Sequence, residues 1–301
     1  MSSLPYVLQP RAAWFTRILQ RLSSYWELIK DLQTGLLVVT AAAGYASGCC
    51  TNLRAGSLAG LAGSLALAVS GCTILNMVYD RDIDARMRRT ANRPLPSGRV
   101  RPWEAALLGT ALAAAGTGWA FGLDRLYGGV VLAGLLLDAL IYTVWLKRRT
   151  PFAIILGGLA GGMPALAGRV LASGQIDAVG LLLALGILLW IPTHILTYHL
   201  KHAADYARAG IPTIPAAYGA ATARTLIAAA NLLSVGAFWL VTLLLHLPAH
   251  YQWISAGLGT GLVVLSLVGL ARPGVRLNFI LYKGASIYML ASMLILILGG
   301  F

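Results

Sequence analysis

The sequence predicts an all-α polytopic membrane protein, and three observations carry that reading. Hydrophobic residues make up 58% of the 301 positions, only 11% are charged, and the apolar residues fall into repeated runs separated by short polar segments. The runs are about 20 residues long, the length at which a helix crosses the hydrocarbon core of a bilayer. Nine transmembrane helices are expected, at 34–51, 56–79, 103–122, 126–146, 152–171, 178–200, 222–246, 252–270 and 278–300. The charge supports the odd count. Of the 23 Lys and Arg residues, all except Arg54, Arg125 and Arg169 fall in the segments, or in the adjoining ends of spans, that nine crossings bring to one side. The positive-inside rule makes that side, and the N-terminus, cytoplasmic. The net charge of +13 is thus a topological signal in a multi-pass cell (inner) membrane protein whose partner is the lipid bilayer, with no nucleic acid implied.

Residues 1–26 hold three arginines, several serines and no acid, which suits a basic amphipathic segment lying on the cytoplasmic lipid surface better than a transit peptide. Cys49, Cys50 and Cys72 lack metal-ligand spacing and read as small packing residues. No linker divides the chain, so residues 1–301 form a single membrane domain with two long polar loops, 80–101 and 201–221. The loops echo each other: Asp80 to Asp84 and then Pro94-Leu-Pro96 after the second helix, Asp205 and then Pro212-Thr-Ile-Pro215 after the sixth. A four-helix unit used twice would give this pattern and bring both loops to one face.

The first loop carries the clearest chemistry. Asn76, Asp80 and Asp84 are spaced i, i+4, i+8 and form one stripe on a helix, within NMVYDRDIDARMRRTANRPLPSGR. An amide oxygen and two carboxylates suit Mg²⁺, a hard ion that takes few protein ligands and keeps water and phosphate oxygens. Arginine forks suit diphosphate, and Arg86, near the stripe, and Arg93, before the proline pair, are the two expected contacts. A plainer reading is a solvated helix end on which Asp82 pairs with Arg86.

In WIPTHILTYHLKHAADYARAGIPTIP, Lys201 and Asp205 stand four apart at the cytoplasmic end of the sixth helix. Lys201 would neutralise diphosphate while Asp205 holds a metal or orients the lysine; a simple ion pair between them is the alternative. His194 and His199 lie within that helix, suited either to buried hydrogen bonding or to contact with an acceptor. Asp138 lies mid-helix and should face the bundle interior, with Tyr142 one turn on and Lys147 at the cytoplasmic end. Lys147, Arg148 and Arg149 together also read as ordinary positive-inside charges. Gly157, Gly158, Gly161 and Gly162 form small-x-x-x-small pairs that favour close helix packing.

These residues resemble the UbiA superfamily of intramembrane prenyltransferases, and within it most closely the heme-farnesylating members. The similarity runs through YWELIK at 25–30, the motif at 76–100, YTVWLKRRTP at 142–151, LGGLAGGMPALAG at 156–168, and His194 through DYARAGIPTIP to Pro215. The N-x-x-x-D-x-x-x-D core is shared across the superfamily, whereas the DY-x-x-AG-x-P loop with an upstream His points to heme. The resemblance implies helices around a central cavity, Mg²⁺-dependent binding of farnesyl diphosphate, and attack on its allylic carbon by a vinyl group of heme B. It assigns the metal and diphosphate to Asn76, Asp80, Asp84 and Asp205, and phosphate binding to Arg93 and Lys147. The chain departs from the heme-type pattern where K-P-R is Lys30-Asp31-Leu32, where P-P-H or M-P-H is Pro192-Thr193-His194, and at Ala153 and Arg169, positions expected to lie around the acceptor and away from the cradle.

The residues also leave other outcomes open: a different aromatic, quinone-precursor or tetrapyrrole acceptor, terpene cyclisation, or, from a different class, a cation transporter using Asp138, His194 and the Asp80–Asp84 stripe as a pathway. Cation transport would need polar residues through the outer halves of the helices, which hold almost none. No Ser/His/Asp or Cys/His arrangement is present, and prenyl transfer needs no protein nucleophile.

Overall fold

The computed structural model describes residues 10–48 and 54–299. Its twelve α-helices are α1 (Pro10–Ile29), α2 (Asp31–Gly48), α3 (Ala55–Tyr79), α4 (Arg81–Arg86), α5 (Pro102–Leu123), α6 (Arg125–Leu136), α7 (Ala153–Ser173), α8 (Ala178–Lys201), α9 (Ala203–Ala209), α10 (Ile214–Leu244), α11 (Ala249–Ala271) and α12 (Val275–Gly299). α6 runs directly into a π-helical stretch, Leu137–Leu146. Among the described residues eight helices, counting α6 and its extension as one, are long and apolar enough to cross a membrane. Each matches an expected span. The remaining expectation, 34–51, falls on α2, which begins with Asp31 and ends beside residues outside the description. Cys49 and Cys50 lie in that stretch, as does part of the N-terminal segment.

Local chemistry sets several boundaries. Asp124 and Asp177 cap α6 and α8 by accepting from the backbone N–H of Tyr127 and Gly180, each at 2.8 Å, and Pro102 sits in the first turn of α5. α10 starts eight residues before the expected 222, because Gly219 adopts φ 86°, ψ 159° and bends the chain into the span proper. α1 is tied down by Arg99, whose guanidinium donates to both oxygens of Glu27 at 3.0 and 2.8 Å, and by Tyr25, whose hydroxyl donates to Glu104 at 3.0 Å. Trp14, Leu19, Leu22 and Trp26 on α1 stay exposed, consistent with a helix resting on lipid.

Small residues let the spans approach closely. α3 lies along α5 through Gly71, Gly109 and Gly116, α2 meets α7 at Gly44 and Gly168, and α7 meets α8 at Gly162. The four glycines at 157–162 behave as their spacing predicts: Gly162 faces the backbone of Ala184, Gly158 and Gly161 face Leu188 and Ile191, and Gly157 receives the ring of Tyr142. The two polar loops do meet. Short helices α4 and α9, one after each echoed span, pack together through Ile83, Met87, Ala209 and Ile211 with Tyr206.

Candidate active site

Asn76 sits in the last turn of α3, and Asp80 follows that helix at φ −86°, ψ 5°. The expected single helical stripe is therefore broken into α3 and α4 with Asp80 at the joint. Its register survives, because Asp80 N donates to Asn76 O at 2.9 Å and Asp84 N to Asp80 O at 2.8 Å. Asp80 and Asp84 are each only 6% exposed, so their charge demands partners. Arg93 Nη1 donates to Asp84 Oδ2 at 2.8 Å, and Lys147 Nζ donates to Asp80 Oδ2.

Lys147 reaches Asp80 because of the π-helical stretch. Its backbone N–H donates to Tyr142 O, five residues back, at 2.8 Å. Asp138 and Lys147 are nine residues apart; at 3.6 residues per turn that is about two and a half turns, which would leave them on opposite faces. The wider π turn brings nine residues to about two turns and puts both on the face toward α3. Asp138 meets Asn76, whose Nδ2 donates to Asp138 Oδ2 at 2.7 Å, and Lys147 meets Asp80. Asp138 thus faces the interior as expected. Burial works against the Lys147 ammonium, but Tyr142, Asp80 and Asp84 outweigh it and hold its pKa up. Burial pushes the Asp80 carboxyl above the usual range even with Lys147 beside it, so the site retains an unmet demand for positive charge.

Two oxygens locate that demand. Asn76 Oδ1 and Asp80 Oδ1 are buried without a hydrogen-bond partner. An unmet buried acceptor costs about 1–3 kcal/mol, and amide and carboxylate oxygens are the donor set that a hard divalent cation takes. No three His, Cys, Asp or Glu side chains among the described residues converge as a complete metal cage. A partial set fits Mg²⁺, which uses one or two carboxylates with substrate phosphates and water.

Other expected site residues lie at varying distances from this centre. Tyr142 packs against Gly157, and Lys147 Nζ lies 5.8 Å from its ring centroid. Asp205, on α9, pairs with Arg208 rather than Lys201. Lys201 instead lies over the ring of Phe279, at 5.5 Å, beside an open depression of ≈ 400 Å³ lined by Arg88, Arg89, His202, Asp205 and Arg208. Arg86 is exposed at the end of α4, with no ion-pair partner among the described residues. Asp82 pairs with Arg148, at 2.7 and 2.9 Å, and not with Arg86. His194 is stacked between Trp190 and Tyr282, ring centroids 5.0 and 4.9 Å away, and its Nδ1 is buried without a partner.

Three residues gain roles that the sequence reading did not give them. Arg148, taken for an ordinary topological charge, also donates to Tyr79 O at 2.8 Å and so fixes the end of α3. Cys72 does more than pack, since its thiol donates to Asp138 Oδ2 at 3.3 Å. Lys30, expected away from the cradle, lies within its field: desolvation and the charges of Arg93 and Lys147 bring its pKa down to about 8, against the opposing pull of Asp84 and Asp138. It holds φ 49°, a left-handed conformation unusual for a side chain, where α1 gives way to α2. The folded value lies below the ordinary 10.5, so the folded chain sheds this proton first and stability rises as pH climbs from about 8 to about 10.5. A Lys30→Met variant is expected to be more stable than the parent at pH 7, by at most on the order of 3 kcal/mol, and to lose the advantage by pH 10. Thermal unfolding of both in one detergent at the two pH values measures this.

Membrane-length helices with buried acids, a buried amide and basic groups gathered at one end describe an intramembrane enzyme built to hold a charged group against an apolar interior. The chain belongs to the UbiA prenyltransferase family, whose description matches residues 35–277. It is similar to proteins named protoheme IX farnesyltransferase from Aeropyrum pernix, 36% identical over 282 residues and 91% of each chain, and from Archaeoglobus fulgidus, 40% identical over 238 residues, 74% of this chain and 83% of that one. Solved structures share the fold. A digeranylgeranylglyceryl phosphate synthase superposes with a TM-score of 0.78 at 19% identity, covering 93% of this chain and 98% of that one. A UbiA homolog from Archaeoglobus fulgidus bound to DMAPP and Mg²⁺ superposes at 0.71 and 16% identity, covering 91% and 99%. The family and the all-helical membrane fold expected from the motifs are borne out, and the chain is a prenyltransferase.

Proposed function

We propose that the protein transfers a farnesyl group from farnesyl diphosphate to heme B, forming heme O, with Mg²⁺ held at Asn76 and Asp80 and with Asp84 and Asp205 on the flanks of the same site. Two buried oxygens without a hydrogen bond carry this reading: Asn76 Oδ1, and Asp80 Oδ1, which has only the Arg148 guanidinium at 3.9 Å, beside Lys147 and the Arg93–Asp84 pair. The names of the similar proteins supply the acceptor and the prenyl chain length. When bound, Mg²⁺ would add positive charge where the diphosphate leaves.

The chain's own residues supply the rest. Lys147 and Arg93 are placed to neutralise charge that grows on the leaving diphosphate as its allylic C–O bond breaks, and being already oriented by Asp80 and Asp84 they need little reorganisation. The apolar spans keep water from the allylic cation until the acceptor π-bond attacks; the cation this leaves on the former vinyl carbon then takes up one water and releases a proton, which gives the hydroxyethyl group. His194 has its ring stacked between Trp190 and Tyr282, which leaves its edge, with the buried and unpartnered Nδ1, as the part that can meet an acceptor. The polar face carrying α4 and α9 is assigned to the cytoplasm by the distribution of basic residues.

The test is mass spectrometry of purified protein incubated with Mg²⁺, farnesyl diphosphate and heme B. A hydroxyethylfarnesyl adduct that requires Mg²⁺ is expected. Diphosphate released with heme unchanged would sink the heme assignment and keep the cradle, and a cyclised or linear farnesyl product would redirect the reading to cyclisation or hydrolysis.

A further inference from the structure

The amide of Asn76 has two ends of nearly equal size, one a donor and one an acceptor, and only the acceptor is of use to a cation. Its surroundings decide which end faces the cradle. Nδ2 donates to Asp138 Oδ2 at 2.7 Å, and Oδ1 is left buried and unpartnered. A carboxylate only accepts, so it draws the NH₂ end to itself and turns the oxygen away. Cys72, one turn before Asn76 on α3, donates its thiol to the same carboxylate oxygen at 3.3 Å. Asp138 is thus held from two positions of one helix and stands where the π-helical stretch begins.

We infer that Asp138 is a positioning residue: it fixes the Asn76 amide with its oxygen toward the cation, and touches neither metal nor substrate itself. The inference rests on the cradle reading of Asn76 and Asp80. It gives a purpose to an acid placed mid-span, where an ionisable group is costly and calls for a specific partner. Partners of this kind behind a metal ligand affect affinity by about 10- to 100-fold when removed.

The experiment measures the Mg²⁺ concentration for half-maximal binding of a non-hydrolysable farnesyl thiodiphosphate to the full-length protein in detergent, by calorimetry. Asp138→Asn presents the Asn76 amide with a group that both donates and accepts, so the amide loses its fixed orientation. The half-saturating Mg²⁺ concentration is expected to rise about 10- to 100-fold. Asn76→Asp sets two carboxylates against each other and is expected to weaken Mg²⁺ binding likewise. The exchange N76D/D138N restores a donor facing a carboxylate and leaves the other carboxylate oxygen for the cation, so half-saturation should return to within about fivefold of the parent. A merely structural acid would give no such rescue. The exchange variant also serves if Asp138→Asn alone fails to fold. Unchanged Mg²⁺ dependence in Asp138→Asn, or an exchange variant no better than the two single variants, would overturn the inference while the cradle stands. Mg²⁺-independent binding of the analogue by the parent protein would remove the cradle reading itself, and the inference with it.

Discussion

Asp80→Ala is expected to lower farnesyl diphosphate turnover by at least about 10³-fold, more than any other single substitution in the site. Removing one preorganised charge-stabilising group costs about 10²- to 10³-fold in comparable sites. On the proposed reading Asp80 contributes twice, through an Oδ1 that lacks a hydrogen bond and would face the cation, and through the Oδ2 that accepts from Lys147. The same substitution leaves the Lys147 ammonium buried without its main partner, and breaking a buried pair from one side costs about 3–5 kcal/mol. Two measurements separate these effects. Thermal unfolding should show Asp80→Ala clearly destabilised and a further Lys147→Met change restoring part of the loss, while diphosphate release stays at background in both. Recovery of turnover along with stability would show that Asp80 matters for folding alone.

Gly71→Val is expected to abolish recovery of folded protein. A Cβ at Gly71 would lie 2.5 Å from the carbonyl oxygen of Gly109 and 2.8 Å from Cα of Ala113, both backbone atoms of α5 that cannot turn aside. The two helices would have to separate, and α3 ends in Asn76 and Asp80, so the cradle would shift with them. Gly118→Val is the matched control, because nothing lies within 4 Å of a Cβ there. Size-exclusion profiles after detergent extraction, parent-like for Gly118→Val and aggregated for Gly71→Val, check the prediction; a monodisperse Gly71→Val would show that the α3–α5 contact can open.

Much of this was legible in the residues. Length and apolarity alone locate the spans, since a bilayer leaves a helix no alternative partner for its backbone. The i, i+4, i+8 spacing marks Asn76, Asp80 and Asp84 because that register persists through the break at Asp80. The break itself was not legible, as nothing between Tyr79 and Arg81 is a helix breaker. Nor was the partnering of charges: Asp82 finds Arg148 and Asp205 finds Arg208 because spatial neighbours from other segments or a different helical offset compete with the i, i+4 option. Lys30 keeps the family's letter while Asp31 and Leu32 after it depart, so nothing at that position set it apart; its desolvation and left-handed backbone are properties of the fold and have no letter in the sequence. The π-helical stretch is equally silent. LDALIYTVWL has an ordinary apolar composition, with no residue that marks a π turn.

That stretch makes the number of residues in one span a functional quantity. A π turn advances less along its axis per residue than an α turn, so this span holds more residues than its ends need in order to cross the same distance. The surplus rotates Lys147 onto the face that Asp138 already occupies. An apolar span elsewhere in the bundle can gain or lose a residue at its ends and keep its packing, whereas here a change of one between Asp138 and Lys147 turns one of the two away from α3. In the comparison of relatives, an alignment gap at this place speaks to chemistry, even when every letter on either side of it is preserved.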